Sequence, residues 1–112
     1  MPSIDYPEGA VVEVAYPLFM ASLHIASRQR LRFVIAEGPF AREEEVATEV
    51  VDLAPGIFAV SWQEADGATV VNVHDWNSDT VQGFVTLANG SFLRMAGRIA
   101  RRAGDGSLRP EQ

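Results

Sequence analysis

Apolar and polar residues alternate in four short segments of the second half of the chain: IFAVSWQE, TVVNVHDW, TVQGFVTL and SFLRMAGRI. Alternation with a period of two indicates β-strands, because successive side chains of a strand point to opposite faces. Asp66-Gly67 and Asn89-Gly90 predict two-residue type I′ turns, whose central residues both need positive φ. Asn77-Ser78-Asp79 predicts a third turn between the middle segments. Residues 57–102 are therefore predicted to form four consecutive antiparallel strands.

The first half of the chain predicts four more strands, over residues 10–16, 18–27, 30–37 and 44–53. Arg28-Gln29 connects the second and third, and Ala54-Pro55-Gly56 ends the fourth. No window has the spacing of apolar residues typical of a helix. Eight short strands with short connections predict an all-β fold, a small eight-stranded antiparallel up-and-down barrel. We expect one barrel domain over residues 1–102 and a disordered, Gly-rich polar tail over 103–112.

The predicted turns fix which side chains share a face of the sheet. A two-residue turn at Asp66-Gly67 places Trp62 opposite Val71 and Val60 opposite Val73. The set predicted to face the interior is Phe58, Val60, Trp62, Glu64, Thr69, Val71, Val73, Asp75, Gln82, Phe84, Thr86, Leu93, Met95 and Ile99. The set predicted to face outward is Ala59, Ser61, Gln63, Val70, Asn72, His74, Trp76, Val81, Val85, Phe92, Arg94 and Arg98. A shift of one residue would exchange the two sets.

An eight-stranded barrel can enclose one small ligand, so the inward set supplies the candidate site. The predicted walls are Trp62, Phe84 and Met95 with Phe58 and Val73, and the predicted polar anchors are Glu64, Asp75 and Gln82. Burial would raise the pKa of a carboxyl group, which makes Glu64 and Asp75 candidate catalytic acids or bases. The alternatives are that Trp62 fills a solid core and that both acids bind turn backbone or an arginine.

Composition excludes several classes of function. The chain has 112 residues, no cysteine, a net charge of −6, and nine basic residues that are all arginine. Such a chain is a poor candidate for binding nucleic acid, and its apolar runs are too short to span a bilayer. We expect a cytoplasmic protein without nucleic acid or membrane partners. No cofactor motif is present, so we expect no cofactor.

The histidines do not predict a metal site. His74 and Asp75 are neighbours in a strand and point to opposite faces. The orientation of His24 depends on the length of the Arg28-Gln29 turn, and the apolar residues around it favour an outward ring. We expect no metal. Outward Trp76, Phe92, Val81 and Val85 would form an exposed apolar patch, which predicts a homodimer.

The segment from Gly56 to Ile99 resembles the MoaF-like family, named for molybdenum cofactor biosynthesis protein F. The pieces that carry the resemblance are Ser61-Trp62-Gln63-Glu64 with Asp66-Gly67, Val73-His74-Asp75, and Asn89-Gly90-Ser91-Phe92-Leu93-Arg94, with weaker support from Leu31-Arg32-Phe33 and Glu37-Gly38-Pro39. The resemblance implies a lipocalin-like (calycin) barrel. Members of this family largely lack an assigned reaction, whereas related calycin barrels include phenolic acid decarboxylases. The chain differs from the usual pattern by Asn89-Gly90 in place of Asp-Gly and by Trp76 where Phe is common.

These observations predict a barrel that binds a small, apolar or aromatic organic molecule. The first alternative is a cofactor-independent cyclase, isomerase, dehydratase or decarboxylase that uses Glu64 or Asp75. The second is a dimeric interaction module whose barrel is filled. A cavity of a few hundred Å3 separates the last alternative from the other two.

Overall fold

The computed structural model describes residues 5–102. Its strands are β1 (Val11–Ala15), β2 (Met20–Ser27), β3 (Arg30–Ile35), β4 (Arg42–Ala54), β5 (Ile57–Gln63), β6 (Thr69–Asp75), β7 (Thr80–Thr86) and β8 (Phe92–Arg101). They form a closed antiparallel barrel in the order β1 to β8, which confirms the predicted fold class. The tail predicted for residues 103–112 lies outside the described residues.

Closure occurs between β1 and β8, where Val14 pairs with Ile99. Because consecutive strands run in opposite directions, the turns at 16–19, 36–41, 64–68 and 87–91 lie at one end of the barrel. We call this the open end. The opposite end, which we call the plugged end, holds the other turns and the segment that precedes β1. Among residues 5–102 there is no helix that could cross a membrane.

The segment before β1 covers the plugged end. The Tyr6 ring is buried and contacts Phe58 edge to face, with 5.5 Å between ring centroids. The Arg28 guanidinium lies 5.9 Å from the centre of the Tyr6 ring. The backbone nitrogen of Arg28 donates to Glu8 at 2.8 Å. These contacts hold the segment against the plugged end of the barrel.

The β5–β6 turn differs from its prediction by one residue. The backbone nitrogen of Glu64 donates to the Ala68 carbonyl, and the nitrogen of Gly67 donates back to the Glu64 carbonyl. The loop therefore contains three residues, 65–67, and only Gly67 among them has positive φ, at 97°. A three-residue loop with a final left-handed glycine is the next most common hairpin, and its sequence also ends in Asp-Gly. Trp62 consequently pairs with Val70 instead of Val71.

The β7–β8 turn shows the same difference. The backbone nitrogen of Leu87 donates to the Ser91 carbonyl, the loop contains residues 88–90, and Gly90 has φ of 91°. Thr86 pairs with Phe92. The two errors cancel along the chain, so β5 and β8 have the predicted faces whereas β6 and β7 are inverted.

The inversion makes several predicted orientations wrong. On β6 and β7 the residues predicted inward that face outward are Thr69, Val71, Val73, Asp75, Gln82, Phe84 and Thr86. The residues predicted outward that are buried or packed against the core are Val70, Asn72, His74, Trp76, Val81 and Val85. The patch proposed for a dimer is therefore also wrong, since only Phe92 of its four members is exposed. The homodimer stays a prediction.

His24 has the predicted outward orientation, but a β-bulge produces it and not a longer turn. A bulge between Ile25 and Ser27 lets a two-residue turn follow, and His24 pairs with Arg32. Its ring is half-buried on the outer wall, while Leu23 and Ile25 on either side are buried in the core. A bulge adds one residue to one strand, so it changes which face the following residues occupy.

Candidate functional site

The barrel is not filled at its open end. A cavity of about 710 Å3 extends from the turns of this end into the interior. That volume lies within the range of small-molecule sites. It conflicts with the alternative of a barrel filled by its own side chains.

Aromatic rings form much of the cavity wall. The rings that line it belong to Tyr16, Phe19, Phe33, Phe40 and Trp62. Phe33 and Trp62 are stacked, with 5.9 Å between centroids and 20° between planes. Phe19 contacts Tyr16 at 5.6 Å and Phe40 at 5.4 Å between centroids. Rings that hold one another in place present a rigid apolar surface, and such a surface favours flat apolar ligands.

Glu64 is one of the carboxylates that line this cavity, and its position continues the alternation of β5. Trp62 and Glu64 are two residues apart, so both side chains point inward. The Trp62 indole nitrogen donates to Glu64 Oε2 at 3.1 Å, and the Glu64 side chain is 11% exposed. Burial raises the pKa of Glu64, and the bond from Trp62 and the charge of Arg42 oppose that increase.

Arg42 lies among three carboxylates at the rim. Its guanidinium is 2.7 Å from Glu44, 3.0 Å from Asp66 and 3.5 Å from Glu64. We call these four residues the Arg42 cluster. Asp66 also accepts a bond from the backbone nitrogen of Ala68, and this bond, followed by Arg42, lowers the pKa of Asp66. The cluster ties the β5–β6 turn to the start of β4.

A neutral polar pair lies deeper in the wall. The Tyr16 hydroxyl donates to Asn72 Oδ1 at 2.6 Å, and both residues are buried. Burial raises the pKa of Tyr16, so the hydroxyl keeps its proton. Asn72 lines the cavity, and because its oxygen accepts from Tyr16, its amide nitrogen is the group that can donate to a ligand.

Gly83 provides the space for this pair. A Cβ at that position would lie far inside van der Waals contact with the Tyr16 hydroxyl, and 3.1 Å from Asn72 Oδ1. Asn72 is not among the predicted site residues, because the predicted register turns the other face of β6 inward. The signal that could have found it is Gly83 itself, since a glycine inside a strand often marks a close approach of another group.

Of the predicted site residues, the structure brings only Trp62 and Glu64 together in the cavity wall. Phe58 and Met95 are buried in the interior, as predicted, but outside the cavity lining. The four others, Val73, Asp75, Gln82 and Phe84, lie on β6 and β7 with the outward parity described above. The predicted walls and anchors on these two strands are therefore absent from the cavity.

Asp75 has the structural role given above as the alternative. Its Oδ1 accepts bonds from the backbone nitrogens of Asn77 at 2.9 Å and Ser78 at 3.3 Å, which stabilises the β6–β7 turn. That turn lies at the plugged end, whereas Glu64 lies at the open end. The two carboxylates cannot act together on one substrate.

His74 is buried in the interior beside Phe58, its partner on β5. Neither ring nitrogen has a hydrogen-bond partner among the described residues. Burial lowers the pKa of His74 to about 4, so the ring is neutral at pH 7. Residues 5–102 contain no group of three or more histidine and acidic side chains placed to hold a metal ion.

The fold and the cavity define a small up-and-down barrel that is open at one end. The sequence model of the family described as MoaF-like matches residues 8–100. The chain belongs to the MoaF-like family. This agrees with the resemblance seen in the sequence.

One similar solved structure is described as that of a candidate beta-lactamase from Burkholderia vietnamiensis. It shares 30% sequence identity with this chain, with a TM-score of 0.81, over 88% of this chain and 100% of that chain. None of the curated proteins matches this chain.

Proposed function

We propose that the protein binds a small, largely apolar organic molecule in the cavity at its open end. The observation that carries the proposal is a cavity of about 710 Å3 whose wall includes five aromatic side chains. Apolar surface gains free energy when it leaves water, at roughly 25 cal/mol per Å2, so such a wall favours aromatic ligands. Asn72 and Glu64, two of the polar residues of the wall, would orient the molecule.

The description of the Burkholderia protein raises beta-lactam hydrolysis as a second function. Hydrolysis through an acyl-enzyme needs an activated nucleophile, such as a serine hydroxyl beside a base. The described residues that line the cavity include no serine, threonine or cysteine. Its one hydroxyl, on Tyr16, donates to Asn72, and burial raises its pKa. These features favour binding over acyl transfer.

The first test is the binding of N-phenyl-1-naphthylamine, an uncharged probe that becomes fluorescent in apolar surroundings. We expect saturable binding to the native protein. Ala21 is buried and lines the cavity, so Ala21→Phe would place a ring in the space that the probe needs. This variant should bind the probe at least roughly tenfold more weakly, since a filled pocket excludes its ligand.

The matched control is Ala59→Phe, the same change on the outer wall of β5, where Ala59 is half-buried and pairs with Val51 and Val73. It should leave the affinity within about twofold of the native value, because energetic coupling between distant sites is small. Circular dichroism and thermal melting would show that both variants fold. Equal loss in both variants, or probe binding unaffected by Ala21→Phe, would contradict a site in the cavity.

A further inference from the structure

We propose that the cavity selects uncharged or cationic aromatic molecules and rejects anionic ones such as carboxylates and phosphate esters. This inference rests on the proposed function and adds the charge of the ligand to it. It follows from how Arg42, the one cation among the described residues of the cavity wall, is paired.

The charged residues among those lining the cavity are Arg42, Glu43, Glu64 and Asp66. Glu43 pairs with Arg32 at 2.6 Å on the outer wall, so the charges at the rim of the cavity are those of the Arg42 cluster, one cation and three carboxylates. An anionic ligand would therefore approach a rim of its own sign, and like charges close together in partly buried surroundings repel strongly. A cationic ligand would meet carboxylate oxygens instead.

Arg42 is not available to receive an anion. Its Nη1 and Nη2 atoms are already within 3.5 Å of Glu44, Glu64 and Asp66. A ligand carboxylate that approached Arg42 would therefore meet a cation already surrounded by negative charge. To bind there, an anion would have to displace one of the three acids.

Displacement is costly because these carboxylates have second attachments. Glu64 accepts from the Trp62 indole, Glu44 accepts from the backbone nitrogen of Ala65 at 2.7 Å, and Asp66 accepts from the backbone of Ala68. Glu64 is also almost buried, so an unpaired charge there would lose its hydration without compensation. The remaining polar contact, the Asn72 amide, needs only a neutral acceptor such as an ether, a hydroxyl or a carbonyl oxygen.

The experiment compares three probes that share a naphthalene ring and differ in one terminal group. They are 2-(1-naphthyl)ethanol, which is uncharged, 2-(1-naphthyl)ethylamine, which is cationic at pH 7, and the anion of 1-naphthaleneacetic acid, called the acetate below. Calorimetric titration at low ionic strength keeps the screening of surface charges small. We expect the alcohol and the amine to bind, and the acetate to bind at least roughly tenfold more weakly than the alcohol, the size typical of one unfavourable charge contact.

Glu64→Gln tests the cause. The amide keeps an oxygen that can accept from Trp62 but removes one carboxylate from Arg42. The affinity for the acetate should therefore rise several-fold relative to the affinity for the alcohol. Glu49→Gln makes the same change in charge at an exposed position on β4 that faces outward, and it should leave the ratio unchanged.

The outcomes separate the two proposals. If the alcohol binds and the acetate binds as tightly or more tightly, the charge selection is wrong and the proposed function stands. If Glu49→Gln changes the ratio as much as Glu64→Gln, the selection arises from net charge and the role of the Arg42 cluster is wrong. If none of the three probes binds, the proposed function fails, and this inference fails with it.

Discussion

Replacing Gly97 by alanine should destabilise the barrel by about 3 kcal/mol or prevent it from folding, at the upper range of overpacking. A Cβ at Gly97 would lie far inside van der Waals contact with the Ala15 carbonyl oxygen and 2.9 Å from Tyr16 Cδ1. The first of these atoms belongs to the backbone, so a rotamer change cannot relieve the clash. Residues 15 and 97 lie at the seam between β1 and β8, where Ala15 pairs with Arg98 and the sheet closes.

Whether Gly97→Ala raises or lowers the free energy of unfolding depends on packing, because φ of Gly97 is not positive and the backbone there allows alanine. Backbone entropy alone would make Gly97→Ala stabilising by about 0.4–1 kcal/mol. Urea denaturation measures which effect is larger. Ala96→Val, on the exposed outer face of the same strand, should change stability by less than about 0.5 kcal/mol. A Gly97→Ala protein as stable as the native one would show that the seam is not packed as described.

His74→Leu should remove a large part of the acid sensitivity of the protein. The pKa of His74 is about 4 in the folded state against an ordinary value of 6.5, and burial is the cause. As the pH falls below 6.5, the unfolded chain takes up a proton that the folded chain does not take up until about pH 4. The stabilising contribution is therefore complete above pH 6.5 and declines between pH 6.5 and pH 4.

Each pH unit between the two pKa values changes the free energy of unfolding by about 1.4 kcal/mol. Between pH 6.5 and pH 5 the native protein should lose about 2 kcal/mol more stability than His74→Leu. Comparing the two proteins removes the contributions that they share, including that of Glu64, whose raised pKa acts in the opposite direction. At pH 7.5 the variant should be at least as stable, because neither His74 nitrogen has a partner to lose.

His24→Gln is the matched control for this experiment. Burial, followed by the charges of Arg32 and Arg102, also lowers the pKa of His24, but its ring is half-buried on the outer wall. This variant should retain most of the pH dependence. Full pH dependence in His74→Leu would show that the buried imidazole does not control acid stability.

The architecture was predictable because it depends on local patterns. Alternation located all eight strands to within a few residues, and the short connections fixed their order around the barrel. The inward orientations of Trp62 and Glu64 were predictable for the same reason, whereas that of Met95 was predicted correctly only because the errors in two turns cancelled. An error of one residue in a turn changes neither the existence of a strand nor the order of the strands around the barrel.

The faces of β6 and β7 were not predictable, because an Asp-Gly or Asn-Gly pair is compatible with loops of two or three residues. The sequence alone does not distinguish a type I′ turn at Asp66-Gly67 from a type I turn that ends in a left-handed Gly67. Each choice reverses the face of the next strand, and here it decided whether Asn72 or Val73 reached the interior. Of the two predicted carboxylates, only Glu64, directly after β5, precedes the ambiguous turn.

The Arg42 cluster depends on contacts between residues distant in sequence. Arg42 begins β4, Glu64 ends the β5 segment, and Asp66 lies in the turn that follows. Which arginine meets which acid depends on the register of β3, β4 and β5 together. The alternative that buried acids pair with an arginine was available from the sequence, but the identity of that arginine was not.

Entry of a ligand into the aromatic cavity at the open end is tested most directly by nuclear magnetic resonance of the 15N-labelled protein during titration with 2-(1-naphthyl)ethanol. Such entry predicts saturable shifts of the Trp62 indole N–H and the Asn72 side-chain amide, with the backbone amides of Asn77 and Ser78 at the plugged end unchanged. Shifts confined to the exposed apolar residues Val71, Phe84 and Phe92, or no saturable shift, would contradict it.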